Sequence, residues 1–158
     1  MKPVLLLSVL VALVSQTVQA EPSDDISMYA VSLVGSPYRL GGTSPDTGLD
    51  CSGFVDHVFR QITGIRLPRD SRGISEATQP LDPAELQPGD LVFFNTLKRA
   101  FSHVGIYLGD DRFVHATSSR TGSVMVSRFS DAYWRERFDG ARRVVVPGPL
   151  PSAIASFE

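Results

Sequence analysis

The chain reads as an α+β domain, with N-terminal helices packed on an antiparallel sheet of about five strands. Three observations predict this. Helical spacing of apolar residues is confined to the first part of the chain. Apolar strand-like runs fill the second part. Those runs follow one another through short turns, which favours antiparallel neighbours over crossovers.

The first helix is expected over residues 24–34, with Ser23 or Asp24 as cap and Ile26, Ala30, Leu33 and Val34 at helical spacing. Gly35-Ser36-Pro37 ends it. Residues 38–48 hold Gly41, Gly42, Pro45 and Gly48 and read as a loop that lets another group come close to the backbone. A second helix is expected over residues 51–62. Cys51, Val55, Val58 and Ile62 share one face, with Ser52, Asp56 and Arg60 opposite. A short helix is expected over 72–77. Strands are expected over 90–94, 103–108, 112–116, 123–128 and 141–146, with a short helix over 131–137.

The N-terminus has the pattern of a cleaved secretory signal. Lys2 precedes an aliphatic run over residues 4–14, and Val18-Gln19-Ala20 has small residues where a signal peptidase reads. The run is well short of the ~20 residues needed to span a bilayer. No cysteine stands near the cleavage point, so no membrane anchor is expected after cleavage, and export to the periplasm or beyond is. Residues 21–146 then form one domain of ordinary size. Residues 147–158, rich in proline and small residues, are expected to trail as a flexible tail. A formal charge of −2 and the absence of a basic stripe exclude nucleic acid as a partner. The densest basic cluster, Arg135, Arg137, Arg142 and Arg143, is broken by Glu136 and Asp139 and reads as a solvated surface.

Cys51 is the only cysteine of a chain that looks secreted. Exported proteins normally pair their thiols, so a lone one calls for an explanation. Its place at the first turn of a helix, on the apolar face, allows two. Free cysteine is often a core residue. A helix N-terminus also favours thiolate and suits a nucleophile. His103 and His115 supply the other part of a cysteine nucleophile. His103 would take the thiol proton, or hold the thiolate as an ion pair, and later protonate the leaving amine. His115 would orient His103 through its second nitrogen.

That arrangement needs both histidines on one face of a hairpin through Gly109-Asp110-Asp111. A three-residue loop pairs Leu108 with Arg112 and Gly105 with His115 and puts them there. A one-residue slip points them apart. An odd loop is therefore expected. His57 lies about 240° round the helix from Cys51, which places it away from the thiol as a surface or structural residue. Zinc held by Cys51, His103 and His115 is the rival reading, but the short local spacing of zinc ligands is missing, so neither metal nor cofactor is expected.

Six blocks now resemble the NlpC family of bacterial cell-wall cysteine peptidases. They are Gly35-Ser36-Pro37-Tyr38-Arg39-Leu40-Gly41-Gly42, Leu49-Asp50-Cys51-Ser52-Gly53-Phe54-Val55, Arg66-Leu67-Pro68-Arg69, Leu86-Gln87-Pro88-Gly89-Asp90-Leu91-Val92-Phe93-Phe94, Ser102-His103-Val104-Gly105-Ile106-Tyr107-Leu108-Gly109 running on to Phe113-Val114-His115-Ala116, and the stretch from Tyr133-Trp134 to Ala141-Arg142-Arg143-Val144. The resemblance implies a pared-down papain-like fold. It also implies hydrolysis of amide bonds in peptidoglycan stem peptides, commonly between γ-D-glutamate and a diamino acid such as meso-diaminopimelate. It places the nucleophile on Cys51, the base on His103, the third polar residue on His115 and a tyrosine hydroxyl, from Tyr38, beside the thiol. Tyr38 and a backbone N–H at the helix start would then serve the oxyanion. By the same likeness Asp50 and Ser52 meet the substrate, although Asp50 is equally a helix cap.

Where many relatives carry a polar run with glutamine, this chain has Asp70-Ser71-Arg72-Gly73-Ile74-Ser75-Glu76, a segment expected to border the substrate groove. An amidase or acyltransferase of the same fold, or an inactive wall-binding domain, are the alternatives. A regulatory protein partner is not identifiable from the sequence.

Overall fold

The computed structural model describes residues 22–118 and 122–146. The expected signal segment and tail lie outside the described residues. Helix α1, Pro22–Ser32, starts two residues before its predicted bound, with proline in the first turn, where its missing N–H costs nothing. Ile26 and Ala30 are its buried residues.

Helix α2, Cys51–Thr63, is the central element. Asp50 caps it with a carboxylate oxygen 2.7 Å from the Gly53 N–H. Gly64 closes it in the left-handed conformation, at φ 76°, with its N–H on the Arg60 carbonyl. The expected polar face does not point to water. Every residue from 52 to 59 is buried. Asp56 accepts the Leu67 N–H at 2.9 Å, and the Ser52 hydroxyl donates to the Arg69 carbonyl at 2.9 Å. The face opposite the apolar one therefore holds down the segment that follows the helix.

The glycine-rich loop makes its close approach to this helix. Gly53 packs so tightly on the Gly42 carbonyl that a β-carbon at 53 would overlap it. The short strands β1, Thr43–Ser44, and β2, Gly48–Leu49, pair within that loop. Helix α3, Ser71–Ala77, is capped by Asp70. His57, expected at the surface or as a structural residue, is buried, with Nε2 3.0 Å from the Tyr29 hydroxyl, and it joins α2 to α1.

The remaining strands form one six-stranded sheet. They are β3, Gln79–Leu81; β4, Leu91–Phe94; β5, His103–Gly109; β6, Arg112–Ala116; β7, Val124–Arg128; and β8, Phe138–Arg143, in the spatial order β3-β8-β4-β5-β6-β7. All neighbouring pairs are antiparallel. Strand β3 is the one the sequence did not predict; at three residues it is too short for a period to show. Strand β8 sits earlier than the apolar run 141–146 suggested. Its pairing with β4 fixes it, and Val145 is left exposed. Helix α4, Ala132–Arg135, precedes it.

Alternation along the strands gives the sheet two different faces. Leu91, Phe93, Val104, Ile106, Val114, Ala116 and Val124 join Phe54, Val55, Val58 and Phe59 of α2 in the main core. Val92, Phe94 and Phe113 form a second cluster with Tyr107, Phe129, Trp134 and Phe138.

The basic cluster of the sequence divides. Arg143 meets the buried Asp90 carboxylate through two contacts of 2.7 Å. Arg142 lies over the Phe101 ring and donates to the Ser75 carbonyl. These two tie β8 to its surroundings instead of forming a solvated patch.

Candidate active site

The β5–β6 hairpin decides where the histidines point. Ile106 pairs with Val114 and Tyr107 with Phe113, the register predicted for histidines on one face. The turn itself differs from expectation. Gly109 pairs with Arg112, so Asp110 and Asp111 form a two-residue turn, both at positive φ as such a turn requires. Leu108 is bulged out between Tyr107 and Gly109. That extra residue restores the parity that an even loop would have reversed.

His103 and His115 therefore meet directly, Nε2 of the first 2.8 Å from Nδ1 of the second. Gly105 is two residues on from His103 on the same strand face, beside His115 of β6. A β-carbon there would press on the Phe113 ring, the Val114 carbonyl and the β-carbon of His115, so the absence of a side chain is what lets the pair close. The far nitrogen of His115, Nε2, is 3.0 Å from the Ser127 hydroxyl on β7. Trp134 of α4 stacks on His103 with ring centroids 5.6 Å apart and meets His115 edge-on at 4.8 Å.

Cys51 opens α2 with its side chain half-buried against the main core. Its sulfur is set against backbone N–H groups, those of Val104, Ser52 and Cys51 itself. Val104 is the residue after His103. Tyr107 spends its own N–H and C=O on Asp90 and Gly89, which lead into β4, so alternation turns the Val104 N–H towards β6. The described pairing of β5 with β6 runs only from Ile106 and Val114 outwards. The thiol thus takes a donor that an unbroken ladder would have used.

Electrostatics at the site differ from the thiolate expectation. Burial, reinforced by the Asp50 carboxylate, pushes the Cys51 thiol up to about 11, outweighing the backbone N–H groups. Burial pushes His103 down to about 4, and burial plus the neighbouring His103 pushes His115 lower still. In the free protein near neutral pH the thiol and both imidazoles are uncharged. Tyr38 is held above the usual phenol range, first by burial and then by the Cys51 and Asp50 charges, while a hydrogen bond with Ser118 opposes this. It remains a protonated donor beside the thiol.

Asp50 and Ser52 form a knot under the helix start. One Asp50 oxygen takes the Gly53 N–H and lies 3.0 Å from the Ser52 hydroxyl oxygen, and the other takes the Gly41 N–H at 2.8 Å. Arg69 adds an ion pair of 3.4 Å. Both carboxylate oxygens are engaged within the protein, which is the capping arrangement. Among the described residues no group of three or more His, Cys, Asp and Glu side chains is placed to hold a metal ion. No helix among them is long and apolar enough to cross a membrane.

Ser127 and the packing role of Trp134 were not read from the sequence. A serine on a strand carries no pattern of its own. The β6–β7 register, Phe113 with Ser127 and His115 with Met125, would have put Ser127 on the histidine face.

The NlpC/P60 family model matches residues 35–143. The murein DD-endopeptidase MepH of Escherichia coli K12 is 41% identical over 121 residues, covering 74% of this chain and 44% of that protein. The gamma-DL-glutamyl hydrolase of Bacillus subtilis 168 is 43% identical over 115 residues, covering 72% of this chain and 27% of its own length. The chain thus spans less than half of either relative. A crystal structure of an NLP/P60 family protein described as similar to lipoprotein, from Staphylococcus aureus Mu50, superposes with a TM-score of 0.70 at 36% identity, covering 85% of this chain and 45% of that one.

Proposed function

The chain belongs to the NlpC/P60 family, and from that premise we propose that it is an exported cysteine endopeptidase of peptidoglycan stem peptides, with Cys51 as nucleophile and His103 as base and acid. The observation that carries this reading is Cys51 at the start of α2, set against the N–H of Val104, the residue after His103, together with a histidine pair closed at 2.8 Å.

The chemistry follows from neutral partners. His115 engages Nε2 of His103, so Nδ1 is the nitrogen left to take the thiol proton. Proton transfer accompanies attack of sulfur on the amide carbonyl and gives a tetrahedral oxyanion and an imidazolium. The Tyr38 hydroxyl and the backbone N–H groups at the start of α2 are the donors for the oxyanion. The imidazolium then protonates the leaving amine, a thioester remains on Cys51, and water releases it by the reverse sequence. The finer assignment is the bond between γ-D-glutamate and a diamino acid. The name of the E. coli relative, a murein DD-endopeptidase, favours a second reading in which a D,D cross-link is cut. The signal-like N-terminus supports action outside the inner membrane.

Mass analysis of purified sacculi and soluble muropeptides, incubated with the protein and with Cys51→Ala, tests this. A stem fragment ending at γ-D-glutamate, made only by the intact thiol, is the expected product. Loss of cross-linked dimers without that fragment favours the D,D reading. Equal products from both proteins would end the thiol assignment, and binding without products would end both enzymatic readings.

A further inference from the structure

We propose that Trp134 is a positioning residue that acts through His103, the face of its indole stabilising the positive imidazolium formed during turnover. The inference rests on the assignment of Cys51 and His103 above.

The reaction needs a positive charge in a place that opposes one. The S–H bond of Cys51 breaks as an N–H bond forms on His103, and the proton later leaves with the amine. Between these events His103 is a cation. Its ring is buried, and burial pushes its pKa down to about 4. His115 faces it at 2.8 Å but is itself buried and uncharged. A neutral imidazole offsets the charge less than the carboxylate of a Ser-His-Asp triad does. Among the described residues no carboxylate pairs with either ring.

Trp134 supplies what the missing carboxylate would. Its ring plane lies 24° from that of His103, stacked on it with centroids 5.6 Å apart. A cation within about 6 Å of an indole centroid is attracted by the negative face of the ring. His115 stands at 79° to the same indole, so of the two imidazoles His103 is the one that lies flat against it. Phe94 and Phe113 meet the indole edge-on at 4.9 and 5.2 Å and fix it from the sheet side. Both phenylalanines are fully buried, so the indole is held against a dry wall. The attraction is worth most where water does not screen it. Tyr133, the preceding aromatic, is half-exposed and carries the Arg137 guanidinium on its own ring, 3.9 Å from the centroid. The indole is therefore the free face that the His103 cation meets.

The test compares Trp134→Leu, which keeps apolar bulk without a π face, with Trp134→Phe, which keeps a smaller face. A stabilising face and a plain water-excluding lid predict opposite signs. Loss of the face lowers the pKa of His103. Loss of a lid lets water in and raises it towards the ordinary value of about 6.5. NMR titration of the His103 ring in the folded proteins reads that sign without any substrate. At the pH where half of the His103 rings are charged in the unmodified protein, Trp134→Leu is expected to carry fewer charged rings, with Trp134→Phe in between. Turnover of a purified muropeptide at pH 7 is expected to fall about tenfold in Trp134→Leu and about threefold in Trp134→Phe, in kcat with KM little changed. A His103 pKa that rises or stays in place, or a kcat that does not fall, overturns the proposal. If Trp134→Leu does not fold, the same two readouts in Trp134→Phe decide. Failure of the underlying assignment shows separately, as His103→Ala or Cys51→Ala keeping its activity.

Discussion

The two faces of the sheet differ in kind, although they alternate residue by residue on the same strands. The face against α1 and α2 is largely aliphatic, with Leu91, Val104, Ile106 and Val114 all at 0% exposure. The other face is aromatic, with Phe94, Phe113, Phe129, Trp134 and Phe138 around His103 and His115. Branched chains give the first face apolar area and dense packing, which stabilise the fold. Flat rings give the second face a dry wall against the imidazoles and do not compete for their hydrogen bonds. The difference teaches that a period of two can separate stability from chemistry without a second domain.

Substitutions on one face should leave the other's property alone. The largest effect is expected from His103→Ala, which should lower turnover by roughly 10⁴-fold while the melting temperature holds or rises. A matching collapse of the melting temperature, read by calorimetry, would show that the faces are not separable. Phe59→Ala, which empties a site on α2 in the aliphatic core, should cost about 4 kcal/mol in urea unfolding, with kcat per folded molecule unchanged. An equal fall in kcat would tie the aliphatic packing to the chemistry.

Acid should act on the aromatic face. The folded pKa of His103, about 4, lies below its ordinary 6.5, so between those values the unfolded chain binds more protons and stability falls as pH falls. The loss should approach about 3 kcal/mol at the acid end, and it should shrink in His103→Gln. Melting curves from pH 7 to pH 4 with equal slopes in both proteins would place the acid sensitivity elsewhere.

Much of this separation was legible in the sequence because it is periodic. Helix α2, its start at Cys51, and strands β4 to β7 are set by apolar spacing and turn residues. The shared face of His103 and His115 followed from register alone. What stayed hidden depends on contacts without a period. The loop count was off by one because a bulge at Leu108 leaves no local mark. That the polar side of α2 is covered has no local signal, because Leu67 and Arg69, which cover it, come later in the chain. The closeness of the glycine loop to Gly53 could be expected in kind, but its partner could not. Ser127 needed the β6–β7 register, and the sequence between those strands carries no signal that fixes it.

The bulge at Leu108 behaves like a phase shifter between two gratings. Strands β5 and β6 are each ruled at two residues per repeat, and the connection sets their offset modulo two. Shortening or lengthening residues 108–111 by an even number leaves the offset intact. An odd change turns the inner edge of β5 over, bringing Val104 and Ile106 to the aromatic side and sending His103 into the aliphatic core. The hairpin tip is exposed at Asp110 and remote from the thiol, yet the parity of its length is a condition for the site to exist.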